Sequence, residues 1–313
     1  MVAATVLSRS RRLSKGLLAT DAGVVHAHFG YDASVIAPFA DRAGIPLIVT
    51  FHGYDVTEMP TSSGAAAVLY RRRLPSLFAR ARVLIAVSDF VADRLRGLGA
   101  PERKVVVRHI GIPVRGADPG LVARSGILFV GRLVEKKGVA DLLEAVALLP
   151  GHLRSTPVRV VGDGPLRTQL EAQSRALGLE VTFAGVLSSE QVRDEMSRAV
   201  LFCGPSKTSS RGDAEGYGLV FLEAALGGLP SVAYRHGGVV SAVEDGITGL
   251  LAEENDVQGL SQALRQLLLD RSLAERLGKA GRARVVRDLD VTKRTADLED
   301  LYDEVAGSKT GSC

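Results

Sequence analysis

The sequence predicts an α/β protein of two units, each a parallel sheet covered by helices. Three observations predict this class. Short apolar runs alternate with longer stretches of helical period along most of the chain. The runs are rich in β-branched and aromatic residues and mostly lead into Gly, Ser or His. A stretch with no periodicity then divides the chain into two such alternating halves. Strands alternating with helices pair in parallel, because a crossover helix returns the chain to the same end of the sheet.

The strand candidates of the front half are Val24–Phe29, Leu47–Phe51, Val83–Val87 and Lys104–Arg108. Those of the rear half are Ile127–Val130, Val158–Val161, Val181–Phe183, Val200–Cys203 and Ser231–Tyr234. Between them, Val139–Leu149 and Leu166–Leu177 place apolar residues three and four apart, as a helix requires. The dividing stretch, IPVRGADPGLVARS, carries two prolines and two glycines and reads as a linker. The predicted units are 1–112 and 125–290, joined by 113–124 and followed by a polar helix over 291–306. Near the start, Arg9, Arg11, Arg12 and Lys15 interleave with Val6, Leu7, Leu13, Leu17 and Leu18. This reads as a basic surface helix, since it lacks the apolar core and cleavage site of a signal peptide.

Composition narrows the function. Of 313 residues, 46% are hydrophobic and 24% charged, which excludes a disordered or fibrous chain. No apolar run reaches the roughly 18–20 residues of a membrane-spanning helix. Two cysteines, Cys203 and Cys313, make neither a disulfide framework nor a zinc site, which suits a reducing compartment. The formal net charge of +4 does not point to nucleic acid. It is unevenly spread: 17 Lys and Arg against 9 Asp and Glu in residues 1–124, then 22 against 26 in the remainder. A basic front half suits an anionic partner such as a membrane surface or a phosphorylated substrate. The plainer alternative is a solvated Arg-rich surface.

In open parallel sheets ligands bind beyond the carboxyl ends of the strands. After Ile127–Val130 come Gly131, Arg132 and Lys137, two cations at a helix start that would suit a diphosphate. Gly131 is expected to admit a neighbouring backbone. Gly162-Asp163-Gly164-Pro165 is a tight strand-to-helix turn, but Arg167 breaks the Gly-x-Gly-x-x-Gly fingerprint. The most specific segment runs from Asp213 to Ala224. There Glu215 precedes Gly216, Tyr217, Gly218 and Leu219, whose backbone N–H groups suit phosphate or sugar oxygens, and Glu223 lies inside the helix that follows. A carboxylate at Glu223, embedded among apolar neighbours, needs partners such as a ribose diol. In the front half, His26 and His28 lie near one strand end, and His52, Tyr54 and Asp55 follow another. His52 is the best placed of the histidines to position a hydroxyl or stabilise charge; His26 reads as structural. No His, Asp and Glu set has metal-ligand spacing, and no Gly-x-Ser-x-Gly elbow occurs.

Taken together and in order, HAHFG at 26–30, FHGYDV at 51–56, GRLVEKKG at 131–138, GDGP at 162–165, EGYGLVFLE at 215–223 and EDGITGLL at 244–251 resemble the family 4 retaining glycosyltransferases, in particular the bacterial exopolysaccharide and colanic-acid branch. The resemblance implies the GT-B architecture of two facing Rossmann-like domains. It implies a nucleotide-diphosphate sugar as co-substrate, no cofactor, no metal, and a sugar or lipid-linked glycan as acceptor. Arg132 and Lys137 would contact the diphosphate and Glu223 the ribose. Glu215 and the backbone of Gly216–Leu219 would hold the donor sugar, and Gly185-Val186 would lie against the base. His52 would stand near the reaction centre, with His28, Tyr54 and Asp55 on the acceptor side. The helix 291–306 would cross back onto the first domain. A cytoplasmic enzyme at the membrane periphery fits this reading. Two departures stand out: the first strand and Gly-rich turn usual in the family have no counterpart, so the N-terminal domain is expected to be incomplete, and Ser241 stands where the family often has Glu. A truncated nucleotide-sugar-binding protein with weak or no turnover is the alternative.

Overall fold

The structure is a computed structural model that describes residues 16, 19, 21–114 and 124–307. The expected basic helix near the start, residues 115–123 of the linker and Cys313 lie outside the described residues. The chain forms two units, one of residues up to His109 together with those from Arg294 onward, the other of Ile110–Lys293.

The first unit is built from β1 (Val25–His28), α1 (Gly30–Arg42), β2 (Leu47–Phe51), α2 (Glu58–Thr61), α3 (Ala65–Arg80), β3 (Val83–Ala86), α4 (Asp89–Gly97) and β4 (Val105–Val107). Its four strands pair in parallel in the order β1-β2-β3-β4. Successive right-handed crossovers that advance in one direction put their helices on one face. Phe51 accordingly faces Phe78 of α3, with ring centroids 6.4 Å apart. Ile48 and Ile85, on the other face of the pleat, pack with Leu301 and Val305 of the last helix. Ser88 starts α4 by accepting a hydrogen bond from the Val91 N–H at 3.2 Å.

The second unit contains β5 (Ile127–Val130), α5 (Val139–Ala147), β6 (Val158–Val161), α6 (Arg167–Ala176), β7 (Val181–Gly185), α7 (Ser189–Arg198), β8 (Leu201–Gly204), α8 (Leu219–Leu226), β9 (Ser231–Arg235), α9 (Val239–Ala242), β10 (Gly249–Glu253), α10 (Val257–Leu269) and α11 (Arg271–Asp288). The six parallel strands run β10-β9-β8-β5-β6-β7. This is the doubly wound order, and its direction reverses between β5 and β8. The core lies on the sheet face that packs α5 and α10, around Phe129, Leu142, Val160 and Leu264. Ser188 and Gln191 close a capping box on α7, and Asp256 and Asp270 cap α10 and α11.

Nine predicted strands correspond to β1–β9 within about one or two residues at each end. The tenth, β10, is absent from the sequence reading: it is an edge strand whose Leu250 and Leu251 are only half-buried, and its apolar run, Leu250-Leu251-Ala252, is short and carries no β-branched or aromatic residue. Ile112, expected to close the first unit, belongs instead to the second, which starts at Ile110: it donates its N–H to the Leu289 carbonyl at 2.9 Å and accepts from the Val291 N–H at 3.0 Å. The last helix, α12 (Val291–Gly307), starts in the second unit and belongs to the first from Arg294 onward.

Candidate functional site

The loops after β5 and β8 meet where the strand order reverses, and they are joined by pairs of opposite charge. Lys136 Nζ lies 2.7 Å from the Asp213 carboxylate, and Lys137 Nζ donates to Glu215. Lys207 Nζ donates to Asp141 at the start of α5, at 2.6 Å, and its backbone N–H donates to the Lys136 carbonyl at 2.8 Å. Glu135 accepts from the Ser210 N–H and hydroxyl at 2.9 and 2.7 Å. Gly138 has φ +66°, and a Cβ there would collide with the Pro205 carbonyl. Glycine thus lets the two loops touch.

Glu215 is mostly buried in this seam. Burial alone would raise its pKa, but the Lys137 charge and hydrogen bond, with help from Lys136 and His236, hold it below the ordinary carboxylate value. Its N–H lies 3.3 Å from His236 Nε2, which accepts from it, and the other ring nitrogen, Nδ1, is 3.1 Å from the Glu254 carboxylate. Among the described residues no carboxylate pairs with Arg132, which is exposed at the end of β5. Of the two cations expected at the diphosphate, Arg132 is thus free and Lys137 is shared with an acid.

Close backbone approach falls one strand away from Gly131. Gly162 has φ +124°, and a Cβ on it would overlap the Gly131 carbonyl. The GDGP turn is thus a packing device that presses the β6 loop onto the β5 loop. Gly185, at φ +71°, accepts from the Gly162 N–H at 2.7 Å. Its neighbour Val186 is 79% exposed, an apolar surface available to a flat ring.

Gly218, left-handed at φ +88°, opens α8. Phe221, Leu222, Ala224 and Ala225 are buried, whereas Leu219 and Glu223, four residues apart, share the exposed face. The expected burial of Glu223 in apolar core is therefore corrected. Its sequence neighbours point inward, and it leaves on the opposite side into a cavity of about 550 Å³ with Val130, Leu187, Arg193 and Met196. Those walls strip water from the carboxyl and raise its pKa, with Arg193 opposing. Tyr217 is buried.

In the first unit, His26 Nδ1 lies 2.6 Å from the Tyr302 hydroxyl and Nε2 lies 2.7 Å from Thr50 Oγ1. His28 Nδ1 and His52 Nε2 are 3.0 Å apart, with stacked rings. Burial, then the neighbouring histidines, pushes His26 and His52 down to about 4. Both imidazoles are therefore neutral at physiological pH. Of the residues expected on the acceptor side, His28 and Tyr54 are exposed. Asp55 is not: it is 1% exposed and accepts from the N–H groups of Gly30, His52 and Gly53 at 2.8, 3.1 and 3.0 Å. It ties the loops after β1 and β2 together, and burial outweighs these hydrogen bonds to raise its pKa. Sequence reasoning missed His236, Asp141 and Lys207. Each is a single polar residue without a motif, visible only once β8, α5 and β9 are side by side.

The family described as Glycosyl transferases group 1 matches residues 124–284, and Glycosyltransferase Family 4 matches residues 3–115. WcaL of Salmonella typhimurium, named as a glycosyltransferase of colanic acid biosynthesis, is 30% identical over 294 residues, covering 91% of this chain and 71% of WcaL. A GDP-mannose-dependent alpha-(1-6)-phosphatidylinositol monomannoside mannosyltransferase of Mycolicibacterium smegmatis is 30% identical over 317 residues, covering 95% of this chain and 80% of that enzyme. The solved structure of Anabaena HepE in complex with UDP aligns with a TM-score of 0.80 at 21% identity, over 94% of this chain and 82% of HepE; it shares the GT-B fold of two parallel-sheet Rossmann-like domains. On these grounds the chain belongs to the group 1 glycosyltransferases, with the family 4 N-terminal part, and it is a glycosyltransferase similar to those of colanic acid biosynthesis.

Proposed function

We propose that the chain is a retaining, metal-independent glycosyltransferase that moves a sugar from a nucleotide-diphosphate sugar to an acceptor hydroxyl in exopolysaccharide or glycoconjugate synthesis. The observation that carries this reading is the charged seam between β5 and β8, where Lys137 pairs with Glu215 at the switch point and Arg132 follows β5 exposed. Arg132 and Lys137 bind the donor diphosphate and offset the charge that develops on it as it leaves, a role that in comparable sites is worth about 3–4 kcal/mol of barrier. The scheme draws this charge from side chains, so it uses no divalent ion. Diphosphate competes with Glu215 for Lys137 and frees the carboxylate to accept from the donor sugar.

Glu223, in its cavity on α8, accepts two hydrogen bonds from the ribose diol, and Gly185-Val186 lies against the base. HepE was solved with UDP and the mannosyltransferase is GDP-mannose-dependent, so uridine and guanosine donors are the first to test. The acceptor attacks on the face from which the diphosphate departs, and a phosphate oxygen takes its proton. Retention at the anomeric carbon follows, with neutral His52 positioning rather than removing a proton.

The acceptor is a sugar or a lipid-linked glycan. Exposed Tyr31, Val35 and Leu69 on α1 and α3, with Arg42, Arg72 and Arg80, suit contact with an anionic membrane surface, and the enzyme is placed in the cytoplasm. No described helix is long and apolar enough to cross a membrane. The test is a thermal-shift and transfer screen with UDP-, GDP- and ADP-sugars, with and without EDTA, reading product configuration by NMR. An inverted product, or activity abolished by EDTA and restored by metal, overturns the respective part.

A further inference from the structure

Glu215 is gripped at its side chain and at its main chain by different loops. Its carboxylate meets Lys137, after β5. Its N–H is accepted by His236 Nε2 at 3.3 Å, and its carbonyl accepts from the Gly238 N–H at 2.8 Å. His236, Gly237 and Gly238 form the turn between β9 and α9. That turn is shaped to the Glu215 segment. A Cβ on Gly237 would collide with the Glu215 carbonyl, and one on Gly238 with the Gly216 carbonyl. Glycine permits this close approach of two backbones.

His236 is 4% exposed, and its Nδ1 lies 3.1 Å from Glu254, which follows β10. Glu254 in turn accepts from the Thr208 N–H at 2.6 Å, near the start of the loop that carries Glu215. Glu254, His236, Glu215 and Lys137 thus come after β10, β9, β8 and β5, four strands adjacent in the sheet in that order. Strand order, rather than chain order, makes them a continuous line of contacts along the carboxyl ends of the strands.

The two grips on Glu215 differ in what a ligand does to them. In the proposed reaction the diphosphate draws Lys137 away, so the carboxylate loses an anchor just as it has to receive a sugar. Its main chain stays tied to the turn after β9. Burying an imidazole is costly unless its polar atoms are met, and here one nitrogen meets the Glu215 N–H while the other meets an acid. An apolar side chain would fill the same space without that cost.

We propose that His236, oriented by Glu254, is a positioning residue that keeps Glu215 aimed at the donor sugar once Lys137 has been drawn to the diphosphate. The proposal rests on the donor-site reading given above and deepens it: the sugar, not the nucleotide, depends on His236.

The test is calorimetry on the full chain with UDP-glucose, GDP-mannose and ADP-glucose, each beside its free nucleoside diphosphate. Two variants separate the ring nitrogens. Gln places a carbonyl oxygen where Nε2 accepts, and Asn places an amide where Nδ1 stands. His236→Asn should lower affinity for the nucleotide sugar about tenfold and leave the free diphosphate within about twofold of wild type. His236→Gln should retain most of the affinity for both. Amide hydrogen exchange should show the same split, with the Glu215 N–H protected in the Gln variant and fast in the Asn variant. Equal behaviour of the two variants, or parallel losses of nucleotide sugar and diphosphate, overturns the proposal, since either marks a ring that serves the fold alone. Glu254→Ala should repeat the Asn defect, and wild-type affinity in that variant overturns the part given to Glu254. If the wild type binds none of the diphosphates or nucleotide sugars, the donor reading fails and the proposal with it. If it binds them and His236→Asn shows no selective loss of the sugar, only the role of His236 fails.

Discussion

Lys137, after β5, donates to Glu215, after β8, so a cation and a buried acid neutralise one another across the point where the sheet reverses. In Lys137→Met the acid stays buried and loses its largest compensating charge. Transfer should fall about 100- to 1000-fold, the usual effect of deleting one preorganised donor. The pH dependence of stability should also change sign. In the wild type the depressed Glu215 pKa contributes stability that is present above the ordinary carboxylate value and is lost as pH falls through the lower folded one. In the variant desolvation dominates and the folded pKa rises. Its deficit in melting temperature should therefore be greatest near neutrality and shrink on acidification. A deficit constant with pH would refute the coupling.

His52 and His26 are held down to about 4, well below their unfolded values. Between about pH 6.5 and 4 the unfolded chain binds protons that the folded chain refuses, so stability falls as pH drops through that window. Melting temperature should decline across it, and less steeply in the His26→Gln, His52→Gln double variant. Parallel profiles would count against the assignment. In His52→Ala, transfer should slow while donor affinity is kept. Equal losses would place His52 in ground-state donor binding instead.

Glu223 faces a cavity rather than core, so Glu223→Ala should fold with near wild-type stability. Removing an acceptor of two hydrogen bonds from a diol should weaken binding of the cognate nucleoside diphosphate about 10- to 100-fold. Calorimetry that finds the affinity unchanged removes Glu223 from the ribose role.

Much of this was legible in the sequence because strands buried on both faces, such as Leu47–Phe51 and Ile127–Val130, read as apolar runs, and because ligand loops in such sheets follow strand ends. Glu215 and Lys137 were legible individually, but their pairing was not, since 78 residues separate them. Glu223 was singled out as an acid in need of partners on a mistaken premise. Its neighbours in sequence are apolar, yet at about 100° per residue on a helix they turn away from it. Asp55 looked like a ligand for the opposite reason: a carboxylate beside a glycine turn reads as a site, and only the fold shows three N–H groups converging on it.

Behind the seam, Asp141 is buried and accepts from Lys207 at 2.6 Å and from the Tyr234 hydroxyl at 3.0 Å. Burial, then the Asp141 charge, pushes the Tyr234 phenol well above its ordinary value, so it stays a donor. Through the Lys207 N–H the network reaches the Lys136 carbonyl, and through the chain the adjacent Lys137. Tyr234→Phe keeps the packed ring and deletes one hydrogen bond to a charged group, so urea unfolding should show a loss of about 1.5–3 kcal/mol. Donor affinity should fall by less than in Glu223→Ala, because Lys207 still holds Asp141 and the loop is loosened rather than released. Asp141→Asn weakens both bonds at once and should lower stability and donor affinity together. A Tyr234→Phe protein as stable as the wild type would show that the hydroxyl is met by water instead, and that the seam is held by its ion pairs alone.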